Sequence, residues 1–443
     1  MPFSDLAFIF IFLPIFLGIF YLVPQKYRQP VLLAGSIAFY VIGLLTSTAG
    51  RPIDFLALPL VMFFTWLASR VIFLYKDKRK TVLPISIGVL AGSLIIFKYF
   101  AQPIPPGMSF YVFCAISYIV DVSRGNIPAR TFTQFGTYLA CFPKLLSGPI
   151  TRWEDMRRQK DRFTPAFSDI ADGARMFIAG LAEKVILADT IGRLWQKISA
   201  IGVESVSTAT AWLGAIAFSL QLYLDFQGYS VMACGIGKMI GLELPQNFNY
   251  PYLSRSVSEF WRRWHITLGQ WFRDYIYIPL GGSRNGTPAL VRNLFIVWLI
   301  TGMWHGATLN FLLWGMMMFI LIAAEKLFYG DFLKKHKAFS HIYLLIVIPI
   351  SWMLFANTEF HTLAAYFGKM FSFTGGMVGI TDIIGSFWIS LLLGIIFCTP
   401  IPSRLFSKVS RSLPGTLVYA ALLAASIYMI VMSGSGAFMY FSF

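Results

Sequence analysis

The sequence predicts an all-α, polytopic membrane protein, and three observations carry that prediction. Of 443 residues, 57% are hydrophobic and only 13% charged, about half the charged share of an ordinary globular chain. The mean hydropathy of +0.67 leaves too few polar side chains to cover a water-facing surface. Finally, a series of apolar runs approaches the ~20 residues that a helix needs to cross the hydrocarbon core. Soluble enzymes, secreted scaffolds and disordered tails are thereby excluded.

The candidate spans are 6–24, 30–49, 53–75, 82–100, 108–122, 208–224, 288–304, 308–328, 341–357, 380–398 and 415–433. A further helix over 166–198 carries Arg175, Glu183 and Lys184 and belongs inside a bundle. Eleven or twelve crossings are expected from these runs. The start, Met1-Pro2-Phe3-Ser4-Asp5, lacks the basic region of a cleavable signal, so the first run is expected to stay as a span. No repeat and no linker divides the chain. It reads as one domain, 1–443, with peripheral spans 1–122, a cytoplasmic and re-entrant segment 123–165, a core of about 166–328 and closing spans 329–443.

The net charge of +16 would suggest nucleic acid in a soluble protein, but in this chain it fits basic loops held against an anionic leaflet. Lys26 and Arg28 follow the first run, and Lys76, Lys78, Arg79 and Lys80 the third. Loops 46–52 and 101–107 hold a single basic residue between them, Arg51. The positive-inside rule therefore puts the N-terminus outside. Lys334, Lys335 and Lys337, then Arg404, Lys408 and Arg411, mark later cytoplasmic loops and leave the C-terminus outside too. The run 131–150 breaks the pattern. Arg124 and Arg130 precede it, while Arg152, Arg157, Arg158, Lys160 and Arg162 follow it, and Pro143-Lys144 interrupts it. A re-entrant segment fits best, and such backbone is tolerated at depth only against protein or a water-filled cavity.

From 222 to 315 the chain turns polar, glycine-rich and aromatic. Ser256 and Glu259 have capping-box spacing. Trp261, Trp264, His265, Leu268, Phe272 and Tyr275 recur on one face of the helix expected over 256–275, with Arg262, Arg263, Gln270, Arg273 and Asp274 opposite. That pattern predicts an amphipathic helix at the cytoplasmic surface with His265 pointing inward, as a site residue or as a satisfied core histidine. The stretch 277–286 is either a turn or a glycine cradle for a phosphate that Arg284 would pair. His305 lies 13 residues beyond Arg292, about 20 Å along a helix. An ionisable group at that depth marks a functional site, and Gly306 beside it leaves room for a ligand.

No third ligand stands at helical spacing from either histidine, so no metal site is expected. His336, His341 and His361 read as solvated loop residues, and Cys114, Cys141, Cys234 and Cys398 as small buried hydrophobes. No Gly-x-Ser-x-Gly elbow is present. Asp225, at the end of a run, would orient a histidine or cap the next helix.

Taken together, F-W-R-R-W-H (260–265) and G-M-W-H-G-A (302–307) resemble the membrane-bound O-acyltransferases. The fuller string is similar to their bacterial alginate O-acetyltransferase branch. It comprises Y-L-D-F-Q-G-Y-S (223–230), N-F-N-Y-P-Y (247–252), Y-I-Y-I-P-L-G-G-S-R (275–284), F-P-K-L-L-S-G-P-I (142–150), M-S-F-Y-V-F-C-A-I-S-Y (108–118) and the terminal F-M-Y-F-S-F. The resemblance covers nearly the whole chain. It implies helices surrounding a central tunnel, with His305 as the essential histidine and His265 as the second polar site residue. Asp225, Tyr229, Asn247 and Trp304 would support them. Val231 departs from the branch, which usually has an acidic residue after G-Y-S.

The resemblance further implies acyl transfer from a cytoplasmic thioester, acetyl-CoA as substrate and not as a bound cofactor, to a hydroxyl of an exported or cell-wall polysaccharide. A neutral imidazole of ordinary pKa ~6.5 suits a general base near neutrality. His305 would take the hydroxyl proton or carry the acyl group. Trp264, Trp271 and Trp304 would line an apolar channel, with Arg262, Arg263, Arg273 and Arg284 at its mouth or simply anchored at headgroups. Without a sizeable outer domain, an extracytoplasmic acetyltransferase partner is expected. The place is a bacterial cell membrane, and no nucleic acid is involved. Two other readings remain: the D-alanyl transfer protein of teichoic-acid modification, and a transporter or channel without acyl chemistry.

Overall fold

The computed structural model describes residues 1–46, 50–159, 163–376 and 380–434, without the side chain of Asp382. Lys160, Arg162 and the terminal F-M-Y-F-S-F lie outside the described residues. All regular structure among the described residues is helical. Among the described residues seven helices are long and apolar enough to cross a bilayer: Gln25–Leu45, Pro52–Leu74, Arg79–Phe100, Gly286–His305, Leu309–Lys335, Lys337–Ala356 and Leu413–Ser433. At 1.5 Å per residue, 20 residues give about 30 Å, the thickness of the hydrocarbon core.

By this criterion the described spans are fewer than the eleven or twelve expected, because apolar runs also mark helices buried in protein. The 108–122 run is a 16-residue helix, Met108–Ser123, with buried residues all round it. The 208–224 run is the first half of a 32-residue helix, Thr208–Met239. The 166–198 stretch is helical throughout, passing from Phe167–Ala182 through a wider π turn, Glu183–Ala188, into Asp189–Ile201. The 380–398 run splits, and its main helix, Trp388–Phe397, bends by 80° into Ile401–Val409.

The chain forms two compact units. The first comprises Met1–Ala179 and Tyr229–Gln246. In it the 131–150 segment is no single helix: Phe132–Ala140 ends at Cys141, and Phe142–Leu145 follows as one short turn. Residues 135–151 are buried. Phe142 packs against Phe16, Phe39 and Phe12 at 5.0–5.6 Å, and the Lys144 ammonium sits 4.0 Å over the Tyr138 ring. The broken backbone is thus enclosed by protein, as unsatisfied peptide groups in an apolar setting require.

The second unit comprises Gly180–Gly228 and Asn247–Phe443. Among its helices are α1 (Thr208–Met239, to Gly228), α2 (Val257–Arg263), α3 (Ile266–Phe272), α4 (Gly286–His305), α5 (Leu309–Ala324), α6 (Lys337–Ala356), α7 (Trp388–Phe397) and α8 (Ile401–Val409). Helices α4 and α5 form an antiparallel hairpin over a three-residue turn, residues 306–308. Two glycines allow their close crossing. A Cβ on Gly302 would meet the Phe311 carbonyl oxygen at 2.7 Å, and one on Gly315 the Trp298 oxygen at 2.6 Å. The small-residue contact lets the backbones approach.

Asp225 neither caps a helix nor ends one. It lies well inside α1, where its carboxylate meets the Lys184 ammonium at 2.9 Å, and Lys184 also bonds Asp189 at 2.6 Å. Burial demands such pairing, since an isolated charge there would be strongly disfavoured.

Candidate active site

His265 is placed by two neighbouring stretches of backbone. The Asn247 carbonyl accepts the Ile266 N–H at 2.8 Å, and the Asn249 N–H donates to the Arg263 carbonyl at 2.9 Å. The Asn247 side-chain oxygen accepts the Thr267 N–H at 3.3 Å and the Thr267 hydroxyl at 2.8 Å. A continuous helix would direct the amides of Ile266 and Thr267 back along itself; Asn247 takes both instead. The expected single helix over 256–275 is therefore two. Helix α2 stops at Arg263, and His265 turns left-handed at φ 42°, ψ 55° before α3. Such a conformation costs a non-glycine residue about 1–2 kcal/mol.

The same asparagine sets the imidazole's protonation. Its Oδ1 lies 3.0 Å from His265 Nδ1. Because that atom already accepts a backbone N–H, it is the oxygen, so Nδ1 must carry the proton and Nε2 the lone pair. His265 lies outside every spanning helix, and its burial pushes the imidazole down to about 3. It is neutral at pH 7. The ring of Phe226 packs edge-on to it at 4.8 Å.

The start of α2 is fixed from two directions. Ser256 Oγ accepts the Glu259 N–H at 3.0 Å, as its spacing predicts. The Glu259 carboxylate, however, reaches the Arg255 N–H and not that of Ser256. The remaining first-turn donors go to a residue that the sequence did not signal. Glu325, buried just after α5, accepts the N–H groups of Val257 at 2.5 Å and Ser258 at 2.9 Å. A carboxylate suits a helix N-terminus both as hydrogen-bond acceptor and as counter-charge to the dipole.

His305 is the last residue of α4 and is 7% exposed. Rings lie around it, among them Trp304 at 4.5 Å, Phe355 at 4.9 Å, Trp314 at 5.0 Å and Phe311 at 6.2 Å. It shares with His265 the wall of a cavity of about 510 Å³, together with Trp261, Trp264, Trp298, Trp314, Trp352 and Phe355. Arg262, Arg273 and Lys326 line the same cavity. An aromatic chamber with two imidazoles and three cations can admit an apolar acyl end and an anionic carrier together.

Several expected site residues stand elsewhere. Arg263 is bound to Glu259 at 2.7 Å, and Arg284 is exposed on the 280–285 turn. Trp271 packs on Tyr275 at 5.5 Å, and neither it nor Trp304 is among the cavity-lining residues. Tyr229 belongs to the first unit, stacked on Phe3 at 4.8 Å. The glycine pair at 281–282 adopts positive φ in a turn whose Leu280 and Gly282 carbonyls are tied to the Asn293 amide.

Trp298, Trp314, Trp352 and Lys326 were not foreseen. Trp298, Thr301 and His305 do fall on one helical face, at steps of three and four residues. Among the described residues no group of three His, Cys, Asp or Glu is placed to hold a metal.

Residues 123–357 match the profile of MBOAT, the membrane-bound O-acyltransferase family. The chain belongs to the membrane-bound O-acyltransferase family. This acyltransferase is 37% identical over 388 residues to the probable alginate O-acetylase AlgI of Pseudomonas fluorescens, an alignment covering 84% of the chain and 76% of the relative. It is 34% identical over 266 residues to the peptidoglycan O-acetyltransferase of Helicobacter pylori, covering 54% and 48%. With the teichoic acid D-alanyltransferase of Streptococcus thermophilus it shares 26% over 337 residues, covering 68% and 77%. The acyltransferase is accordingly a multi-pass membrane enzyme, and its cavity lies wholly within the matched family's helical core and the adjoining residues of the second unit.

Proposed function

We propose that this acyltransferase moves an acetyl group from cytoplasmic acetyl-CoA across the bacterial cell membrane for O-acetylation of an exported or cell-wall polysaccharide. One observation carries the reading: His305 and His265 line one aromatic cavity that also holds Arg262, Arg273 and Lys326. His305 takes the proton of the acceptor hydroxyl as its oxygen attacks the thioester carbonyl. The C–O bond forms, the C–S bond breaks, and the proton passes from the imidazolium to the leaving thiolate. His265, neutral with its lone pair on Nε2, contributes an acceptor that orients a hydroxyl or thiol and does not compete for the proton. The cations neutralise the phosphates of the carrier. The aromatic walls exclude the water that would hydrolyse the thioester.

The loop charges support a topology with both termini extracytoplasmic and the basic loops inside. Polysaccharide-modifying relatives support the acceptor class, and an extracytoplasmic acetyltransferase partner would deliver the group to it. In proteoliposomes loaded with labelled acetyl-CoA, transfer to acceptor should require that partner. Replacement His305→Ala should lower acetyl transfer more than about tenfold, a barrier of ~1.4 kcal/mol or more, with normal membrane accumulation. Retention of more than a tenth of the rate would refute the base. A burst of histidine-bound label would show that His305 carries the acetyl group itself. Preference for a D-alanyl thioester would instead assign the teichoic-acid reaction.

A further inference from the structure

We propose that α8 is a docking helix for anionic phospholipid headgroups, lying along the membrane surface and strutted to the loop that holds His265. Helix α8 leaves α7 at 80°, so the two cannot be one straight span. Two adjoining faces of α8 are exposed among the described residues. Along one, Ile401, Leu405 and Val409 stand four residues apart and are 52%, 60% and 45% exposed. Along the other, Arg404 and Lys408 are exposed, followed by Arg411 just beyond the helix. No Asp or Glu occurs after Asp382, and no ion pair engages Arg404 or Lys408 among the described residues.

An exposed apolar stripe beside a basic stripe is disfavoured in water and equally disfavoured in hydrocarbon. It is satisfied at the boundary, with the apolar side chains at the acyl level and the cations at the headgroups. The next helix, Leu413–Ser433, is itself an apolar span, which puts α8 directly before a membrane-crossing element. An acidic soluble protein would meet the cations but leave the apolar stripe unexplained. The lipid surface meets both.

The helix is also tied to the active site. The hydroxyls of Ser403 on α8 and Tyr250 lie 2.7 Å apart, and Tyr250 stands three residues after Asn247 in a left-handed conformation, φ 46°. Lipid seated under α8 is therefore linked to the segment that fixes the His265 tautomer. The docking itself goes beyond the proposed reaction; only the link to rate rests on it.

The full-length protein in nanodiscs, with or without phosphatidylglycerol, tests both parts. A fluorophore on Leu405→Cys should shift to the blue and be quenched by brominated lipid. Native mass spectrometry should show phosphatidylglycerol enrichment that falls about fivefold per charge removed in the series Arg404→Gln, Lys408→Gln and Arg411→Gln. Tyr250→Phe should keep that enrichment and its rate in neutral lipid while losing the rise in acetyl transfer with phosphatidylglycerol. A fluorophore that stays aqueous, enrichment indifferent to the three charges, or full competition by inorganic phosphate would overturn the docking. An undiminished lipid response in Tyr250→Phe would overturn the strut. If wild-type protein transfers no acetyl group in any lipid, the proposed reaction fails while the fluorescence and enrichment still decide the docking.

Discussion

Asn247 offers the sharpest test of how the cavity is tuned. Its side-chain oxygen holds the His265 Nδ1–H and both donors of Thr267. Burial takes the His265 imidazole from 6.5 to about 3, and at 1.36 kcal/mol per pH unit protonating it in place costs about 5 kcal/mol. The wild-type enzyme should show no titration of this group between pH 5 and 8. In Asn247→Asp a carboxylate would stand 3.0 Å from Nδ1, favouring the imidazolium and raising the imidazole by about 1–3 units. Since His265 loses its Nε2 lone pair as pH falls, the variant's transfer rate relative to wild type at the same pH should drop on the acid side. Asn247→Ala strands buried donors, each costing about 1–3 kcal/mol, and frees the tautomer. Its rate should fall roughly ten- to a hundredfold without an added acid limb. Steady-state thioester consumption in detergent with partner and acceptor supplied, from pH 4 to 8, reads both. A ratio of Asn247→Asp to wild-type rate that does not change with pH, together with more than half the wild-type rate in Asn247→Ala, would refute the assignment.

Phe355→Ala removes a ring 4.9 Å from His305 and should widen acyl choice. Two added methylenes at ~0.8 kcal/mol each predict about a tenfold rise in butyryl-CoA over acetyl-CoA use, and an unchanged ratio would place the acyl group elsewhere. Asp225→Asn leaves the buried Lys184 with Asp189 alone, so stability should fall by about 2–3 kcal/mol, less than the ~3–5 of a fully broken pair. A melting temperature in detergent equal to wild type would contradict it. In a cysteine-free background, Arg284→Cys should be blocked by impermeant thiol reagent from the cytoplasmic side only and Thr362→Cys from outside only. Labelling of both from one side would overturn the topology.

Helicity and membrane insertion were legible in composition and run length, because both depend on residue type alone. The place of His305 on a cavity wall was foreshadowed because an ionisable group at the end of an apolar run stands out locally; its role in catalysis remains a proposal. The break at His265 was not. The face pattern over 256–275 is intact in the sequence, and only Asn247, 18 residues earlier, diverts the amides that would continue the helix. The Glu325 cap on α2 spans 68 residues and leaves no local trace. Asp225 misled for the same reason, since its partner Lys184 comes from a different helix. Which apolar runs face protein was not legible either: Met108–Ser123 reads like the other runs in sequence yet has buried residues all round it.

The site's enclosure follows from a chain of local causes. Gly302 and Gly315 bring α4 and α5 close enough to set Trp314 against the His305 ring at 5.0 Å. Trp298 and Trp261, 5.2 Å apart, extend the same wall towards α2, and Trp352 meets Trp261 and Trp264 at 5.9 and 5.0 Å. Large rings with two rotatable bonds hold such a wall at low entropic cost. A thioester beside a basic imidazole would otherwise be open to water at ~55 M, and under the proposed mechanism discrimination for a carbohydrate hydroxyl must come from exclusion and orientation rather than from intrinsic reactivity. Under that mechanism, setting the histidine among indoles would supply both. A single alanine at Gly302 or Gly315, by parting the hairpin, would therefore compromise water exclusion before it touched either histidine.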